Sequence, residues 1–198
     1  MNSTIKETTK IEEGKEIILT KLFADPAIVQ QHRSQLMQIF KDAKATEIEQ
    51  KIQNIVVKEN VFNAVMEDLS KHFEFTFDEA ELKLAKDKIK NNFISRGAKD
   101  IPEDALDNIA KKSIMKSLIF SFIEKQKGLS ITDEEVKESL ENYYQQTNQP
   151  IRQILNDENE FAKVKASMRE EKVMKAVIEM YKIKIELPKK ATDSKESK

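Results

Sequence analysis

The sequence has no cysteine and no tryptophan, and only three glycines and four prolines in 198 residues. Without cysteine there is no disulfide, no thiolate nucleophile and no sulfur ligand for zinc or an iron–sulfur cluster. Glycine and proline together make up about 4% of the chain, against roughly 12% in average usage. Folds assembled from many tight turns need both, which counts against sandwiches, small barrels and Rossmann-type sheets. An excess of one charge is missing too. The 34 Lys and Arg nearly balance 35 Asp and Glu, for a net charge of −1, so no global field would hold a phosphate backbone. The opening residues Met1 to Glu7 contain no apolar segment of the signal-peptide kind. The longest apolar run, Leu118 to Ile123, is interrupted by Ser121 and falls far short of the ~20 residues that span a bilayer. A cytoplasmic chain is expected.

What the chain has is charge, 35% of all residues, set in patterns that repeat every three to four positions. That combination favours long solvated helices and predicts an all-α fold. The first ten residues are polar and are expected to fray. Ile17, Ile18, Leu19, Leu22 and Phe23 form a short apolar segment. Asp25-Pro26 reads as an N-cap followed by a proline in the first helical position, opening a helix to about Lys44. Thr46 with Glu49 has the spacing of a capping box, and a second long helix follows through Leu69. Phe73-Glu74-Phe75-Thr76-Phe77 alternates with period two, as an extended connector does. Asp78 to Arg96 resumes a helix, with Gly97 in the place of a helix-ending glycine. Another helix, carrying Met115, Leu118, Ile119, Phe122 and Ile123, ends at Gly128. Thr132 with Glu135 forms a second capping box, and Gln145 to Gln149 reads as a polar loop. A short helix after Pro150 precedes a last long one carrying Phe161, Val164, Met168, Val173 and Val177. Helices of about 25 residues are about 37 Å long. They predict an elongated multi-helix body over residues 1–187, with hairpin arms projecting near 78–127 and 129–181. A disordered charged tail is expected over 188–198.

Motifs for enzyme chemistry are absent. Gly14, Gly97 and Gly128 are isolated, so neither a phosphate-cradling loop nor a G-x-G-x-x-G turn exists. His32 and His72 lie forty positions apart, outside every short histidine–metal spacing. No serine sits in a G-x-S-x-G elbow. The acidic clusters Asp133-Glu134-Glu135 and Asp157-Glu158-Glu160 fall at helix starts, where carboxylates complement the helix dipole. Lys83, Lys86, Lys88 and Lys90 crowd one helix but are interleaved with acids, the pattern of a solvated face. No metal, cofactor, nucleic acid or membrane partner is expected. The informative feature is a supply of seven methionines and ten phenylalanines in an otherwise polar chain. A thin helical body has little interior, so some of them line grooves, and grooves of this kind repack around different apolar partners.

The stretches Ser117-Leu118-Ile119-Phe120-Ser121-Phe122-Ile123-Glu124 and Ser130-Ile131-Thr132-Asp133-Glu134-Glu135-Val136-Lys137 resemble the C-terminal domain of bacterial trigger factor. The resemblance continues through Tyr143-Tyr144, Pro150 and Ile154, and resumes at Met168-Arg169-Glu170-Glu171-Lys172-Val173, reaching Ile183. Val56 to Phe93 is similar more loosely, so the likeness covers roughly 48–185. The family's ribosome-docking Gly-Phe-Arg loop has no counterpart, since no Phe-Arg pair occurs, and the chain has no room for its prolyl isomerase domain. The resemblance therefore implies the chaperone body alone, a SurA-like helical cradle for unfolded or nascent chains that works without ATP. It also implies client contacts at Leu140, Tyr144 and Ile154 on one arm, and at Leu82, Ile89 and Phe93 on the other. Helical spacing places Val136 and Tyr143 on the face of Leu140 and Tyr144. Ile151, Leu155 and Phe161 adjoin Ile154 along the returning chain. An alternative reading is a helical scaffold or adaptor for one specific protein partner, with homodimerisation possible under either.

Overall fold

A computed structural model describes residues 2–95 and 101–187. The expected helix stop at Gly97 and the expected tail from 188 lie outside the described residues. In chain order the elements are β1 (Thr4–Glu7), β2 (Lys15–Leu19), α1 (Pro26–Ile39), α2 (Ala45–Ser70), β3 (Phe73–Thr76), α3 (Glu79–Ser95), α4 (Glu103–Lys127), α5 (Asp133–Thr147), α6 (Arg152–Asn156), α7 (Glu158–Glu179) and β4 (Tyr181–Ile185). Helices take up 69% of the described residues, the mostly helical architecture that scarce glycine and proline predict. The strands form two separate pairs. Two compact units result, one of residues 2–12 and 66–179, the other of 13–65 and 180–187.

The larger unit is organised by α4. Leu106, Ala110, Ile114, Leu118, Ile119 and Ile123 recur on it in steps of four, with Leu118 and Ile119 adjacent, and all six are buried. Helices α3 and α7 and strand β1 pack against this helix, and α5 packs on α7. Val136 and Leu140 of α5 and Val173 and Val177 of α7 complete the interior. Phe73 closes one end, its ring meeting Phe122 edge-on at 5.1 Å. Ends of elements follow local chemistry. Gly128 takes the left-handed conformation (φ 62°), and its N–H donates to the Glu124 carbonyl. The Thr132–Glu135 capping box is reciprocal, as its spacing predicts. Helix α5 runs on to Thr147, through the expected loop, because Gln145 and Gln146 are good helix formers. It stops at Asn148, one of the few residues that tolerate φ of 54°.

The smaller unit pairs β2 with β4 in parallel, Lys15 opposite Tyr181 and Leu19 opposite Ile185. Asp25 caps α1 with Pro26 in its first turn, as expected. Two boundaries differ from the sequence reading. Helix α1 ends at Ile39, short of Lys44. The second helix is capped not by Thr46 and Glu49 but by Glu47, whose carboxylate accepts the Lys44 N–H at 3.3 Å. Glu49 instead holds Arg33 of α1 through two hydrogen bonds of 2.8 and 3.0 Å.

The N-terminal residues, expected to fray, are ordered. Strand β1 pairs antiparallel with β3, Ile5 opposite Phe75. Its start is tied by Glu81 of α3, whose carboxylate accepts the N–H groups of Asn2 and Ser3. The buried Ser3 hydroxyl in turn accepts the Asp78 N–H at 2.9 Å. Glu81 is held down at about pKa 2, first by the Ser3 hydroxyl and, against the opposing effect of burial, by the Asn2 and Ser3 amides. A carboxylate with a depressed folded pKa adds stability above its ordinary pKa of 4.5 and loses it as pH falls towards 2. Wild type should therefore exceed Glu81→Gln in urea midpoint at about pH 6, with the gap closing by about pH 2. A gap that does not change with pH would contradict the tie.

Candidate functional site

Apolar surface left uncovered on the larger unit is the candidate site. On α3, Leu82, Ile89 and Phe93 share one face, because steps of seven and four residues return to one side of a helix, and of the three Ile89 lines the groove beside α4. Leu82 and Ile89 are half-buried there, while Phe93, in the last turn, is 40% exposed. On α5, Val136, Leu140, Tyr143 and Tyr144 also share one face, but the structure divides them. Val136 and Leu140 are buried, so these two expected client contacts belong to the interior. Tyr143 and Tyr144 stand past the covered part of the helix and are exposed, Tyr144 by 47%. Beyond the turn, Ile151, Ile154 and Phe161 are half-buried and Leu155 is exposed.

Two residues the periodicity passes over are exposed more than these. Leu84 is 55% exposed and Ile94 52%. Leu84 lies about 200° round the helix from Leu82, on the side that amphipathic spacing assigns to solvent. The signal that finds it is the violation itself, a large apolar residue off its helix's apolar stripe.

Two open grooves flank α4. The one between α4 and α7 encloses about 380 Å³, lined by Ser113, Ser117, Phe120 and Ser121 opposite Ala166 and Val173. Its charges are matched across the helices, Lys116 with Glu170 and Arg169 with Glu124. The other, of about 270 Å³, lies between α3 and α4, with Leu84, Ala85 and Ile89 facing Ser113, Ile114 and Ser117. Ser113 and Ser117 line both.

The acidic clusters are structural. Asp133 pairs with Lys165 at 2.6 Å, and Glu135 with Lys172 at 2.9 Å, joining α5 to α7. Lys165 lowers the pKa of the Asp133 carboxyl. The Thr132 N–H and then Lys172 do the same for Glu135. Asp157 caps α7 by accepting the Asn159 and Glu160 N–H groups. His32 stands 3.6 Å from Glu59, and the ring of His72 bonds the Thr9 hydroxyl. Among the described residues no helix is long and apolar enough to cross a membrane.

Residues 28–179 match the family described as the bacterial trigger factor protein C-terminus, and the chain belongs to that family. The match starts earlier than the sequence resemblance, taking in α1. Over 187 residues the chain is 36% identical to a Mycoplasma pneumoniae protein described as the homolog of the uncharacterized protein MG377. It is 33% identical to MG377 of Mycoplasma genitalium itself. Both alignments cover 94% of this chain and 95% of the relative. The crystal structure of the hypothetical Mycoplasma protein MPN555 superposes with a TM-score of 0.79 at 34% identity, covering 93% of this chain and 92% of that one.

Burial separates the α5 residues experimentally. Leu140→Ala should cost about 2–5 kcal/mol in urea denaturation, and Tyr144→Ser less than about 0.5 kcal/mol. Equal losses would contradict the division of this face.

Proposed function

We propose that this protein is a holdase, a chaperone that binds exposed apolar segments of unfolded or nascent polypeptides and releases them without a nucleotide. The observation that carries this reading is the set of large apolar side chains left open on the larger unit: Leu84, Phe93 and Ile94 on α3, Ile109 on α4, Tyr143 and Tyr144 on α5, and Leu155 on α6. Folding normally covers such groups, since each is worth about 1.5–3 kcal/mol when buried. Apolar groups left in water are available to an apolar partner without displacing the protein's own packing. Membership of the trigger factor C-terminal family supports the same reading.

Release follows from the shallowness of the site. Each contact buries part of one side chain, and association must first offset the ordering of a disordered client. A client held at several such points binds weakly enough to leave by dissociation alone, and no step calls for catalysis or a cofactor. Tyrosine, leucine and phenylalanine contacts are non-directional and tolerate many client sequences. The clients on this reading are cytoplasmic chains that have not yet folded.

The test is light scattering from a heat-unfolded enzyme mixed with this protein at near-equal ratio, without ATP. Suppression of aggregation is the expected result. A Leu84→Ser, Phe93→Ser, Tyr144→Ser, Leu155→Ser variant should lose most of it while keeping its melting temperature to within a few degrees. No suppression by the wild type at several-fold excess would end the proposal.

A further inference from the structure

The pairing of β1 with β3 leaves the other edge of β3 unpaired. Glu7 stands opposite Phe73, which sets Thr8 opposite His72, and the Thr8 N–H donates to the His72 carbonyl at 2.9 Å. Bonded and non-bonded pairs alternate along an antiparallel ladder. Lys6 and Glu74 are therefore a bonded pair, while Ile5 with Phe75 and Glu7 with Phe73 are not. The N–H and C=O groups of Phe73 and Phe75 point away from β1, and among the described residues no protein group bonds them. Helix α4 packs close to β1 and reaches β3 through the Phe122 ring on Phe73. Phe73, Phe75 and Phe77 share one face of the chain, with successive ring centroids 6.2 and 6.3 Å apart. Phe75 and Phe77 are only half-buried. Lysine and proline, which commonly guard a strand edge, are both missing from this segment.

We infer that the outer edge of β3 takes an extended client segment, apolar at alternate positions, as an antiparallel third strand. This rests on the holdase reading and names the class of segment the holdase takes. Client residues directly opposite Phe73 and Phe75 exchange both main-chain hydrogen bonds with them, and their side chains fall on the phenylalanine face. Ile5, opposite Phe75 on the β1 side, shows the kind of side chain this face accepts. The two-residue repeat of a strand, about 6.8 Å, is close to the ring spacing of 6.2 and 6.3 Å, so every second client residue meets a ring. The residues between them stand beside the exposed Glu74 and Thr76 and are polar. Main-chain groups are the same in every sequence, so the edge reads the period of a segment and not its identity. Segments of this period are the strands of proteins that have not yet folded. A folded client has its strands paired already and offers none.

The experiment uses the full chain and labelled short peptides, read by fluorescence anisotropy. One peptide alternates valine with serine and threonine, and a second holds the same residues reordered to helical spacing. The alternating peptide should bind about fivefold more tightly or better, the worth of one or two main-chain hydrogen bonds. N-methylation then separates the two sides of the bound strand. Methyl groups on two central valine amides, which face β3, should weaken binding about tenfold. Methyl groups on the polar residues between them, whose amides face water, should change it little. Phe75→Pro removes an outward N–H without taking a bond from β1, and with it the difference between the two methylated peptides should disappear. Ile18→Ser, which removes an exposed apolar residue of the smaller unit, should leave that difference in place. If Phe75→Pro does not fold, the methylated pair on the wild type decides. Losses that are equal for the two sets, or larger for the polar set, overturn the inference. So does binding that depends on this protein's own concentration, which would assign the edge to a second copy. If aggregation is suppressed but the methylated peptides are not distinguished, the strand rule fails and the holdase reading stands. If neither is seen, both fail.

Discussion

The larger unit depends on one stripe of side chains along α4. Six buried residues, from Leu106 to Ile123, give every element packed on that helix its apolar partner. A 25-residue helix presents this stripe over about 37 Å, and no other helix of the unit buries as many side chains. Strand β1, the α3 face and the α7 face all come to it, so the geometry of the grooves beside α4 is the geometry of that packing. Polar pairs then set the register of the helices. Lys86 with Asp107 ties α3 to α4, and Lys116 with Glu170 ties α4 to α7. Asp133 with Lys165 ties α5 to α7.

The same constraint creates the site. Buried surface along α4 is limited, and helices whose apolar residues extend beyond it, or lie off it, leave them in water. Tyr143 and Tyr144 extend beyond, and Leu84 lines the groove beside α4 without being covered. Their exposure costs this unit stability that a fully covered arrangement would gain. On the proposed function a client recovers that difference when it binds. Serines take the place of large residues where α4 floors the grooves, at Ser113 and Ser117. Larger side chains there would fill the space.

Cap chemistry was legible because it is local. Asp25-Pro26, Gly128 and Thr132 with Glu135 each act within a few residues, and each ends or starts a helix where the sequence places it. The Phe73–Thr76 strand was legible from its alternation, but its partner was not. Thr4–Glu7 is polar, and only the distant β3 edge and Glu81 make it a strand. The pairing of β2 with β4 joins residues more than 160 positions apart in sequence, with no local signature. At the site, spacing correctly put Val136, Leu140, Tyr143 and Tyr144 on one face. It could not say where cover on that face ends, because cover comes from α7 and not from α5. Leu84 and Ile94 were missed for the opposite reason, since periodicity treats their side of α3 as solvent.

The account turns on whether open apolar side chains, and not the molecule's surface at large, capture unfolded chains. A photo-crosslinking residue substituted at Leu84, at Tyr144 and at the exposed Lys125 tests this with a reduced, unfolded client and its folded form. The account predicts strong crosslinks to the unfolded client from positions 84 and 144, few from 125, and few from any position to the folded client. Crosslinking at 125 equal to that at 84 and 144 would contradict it.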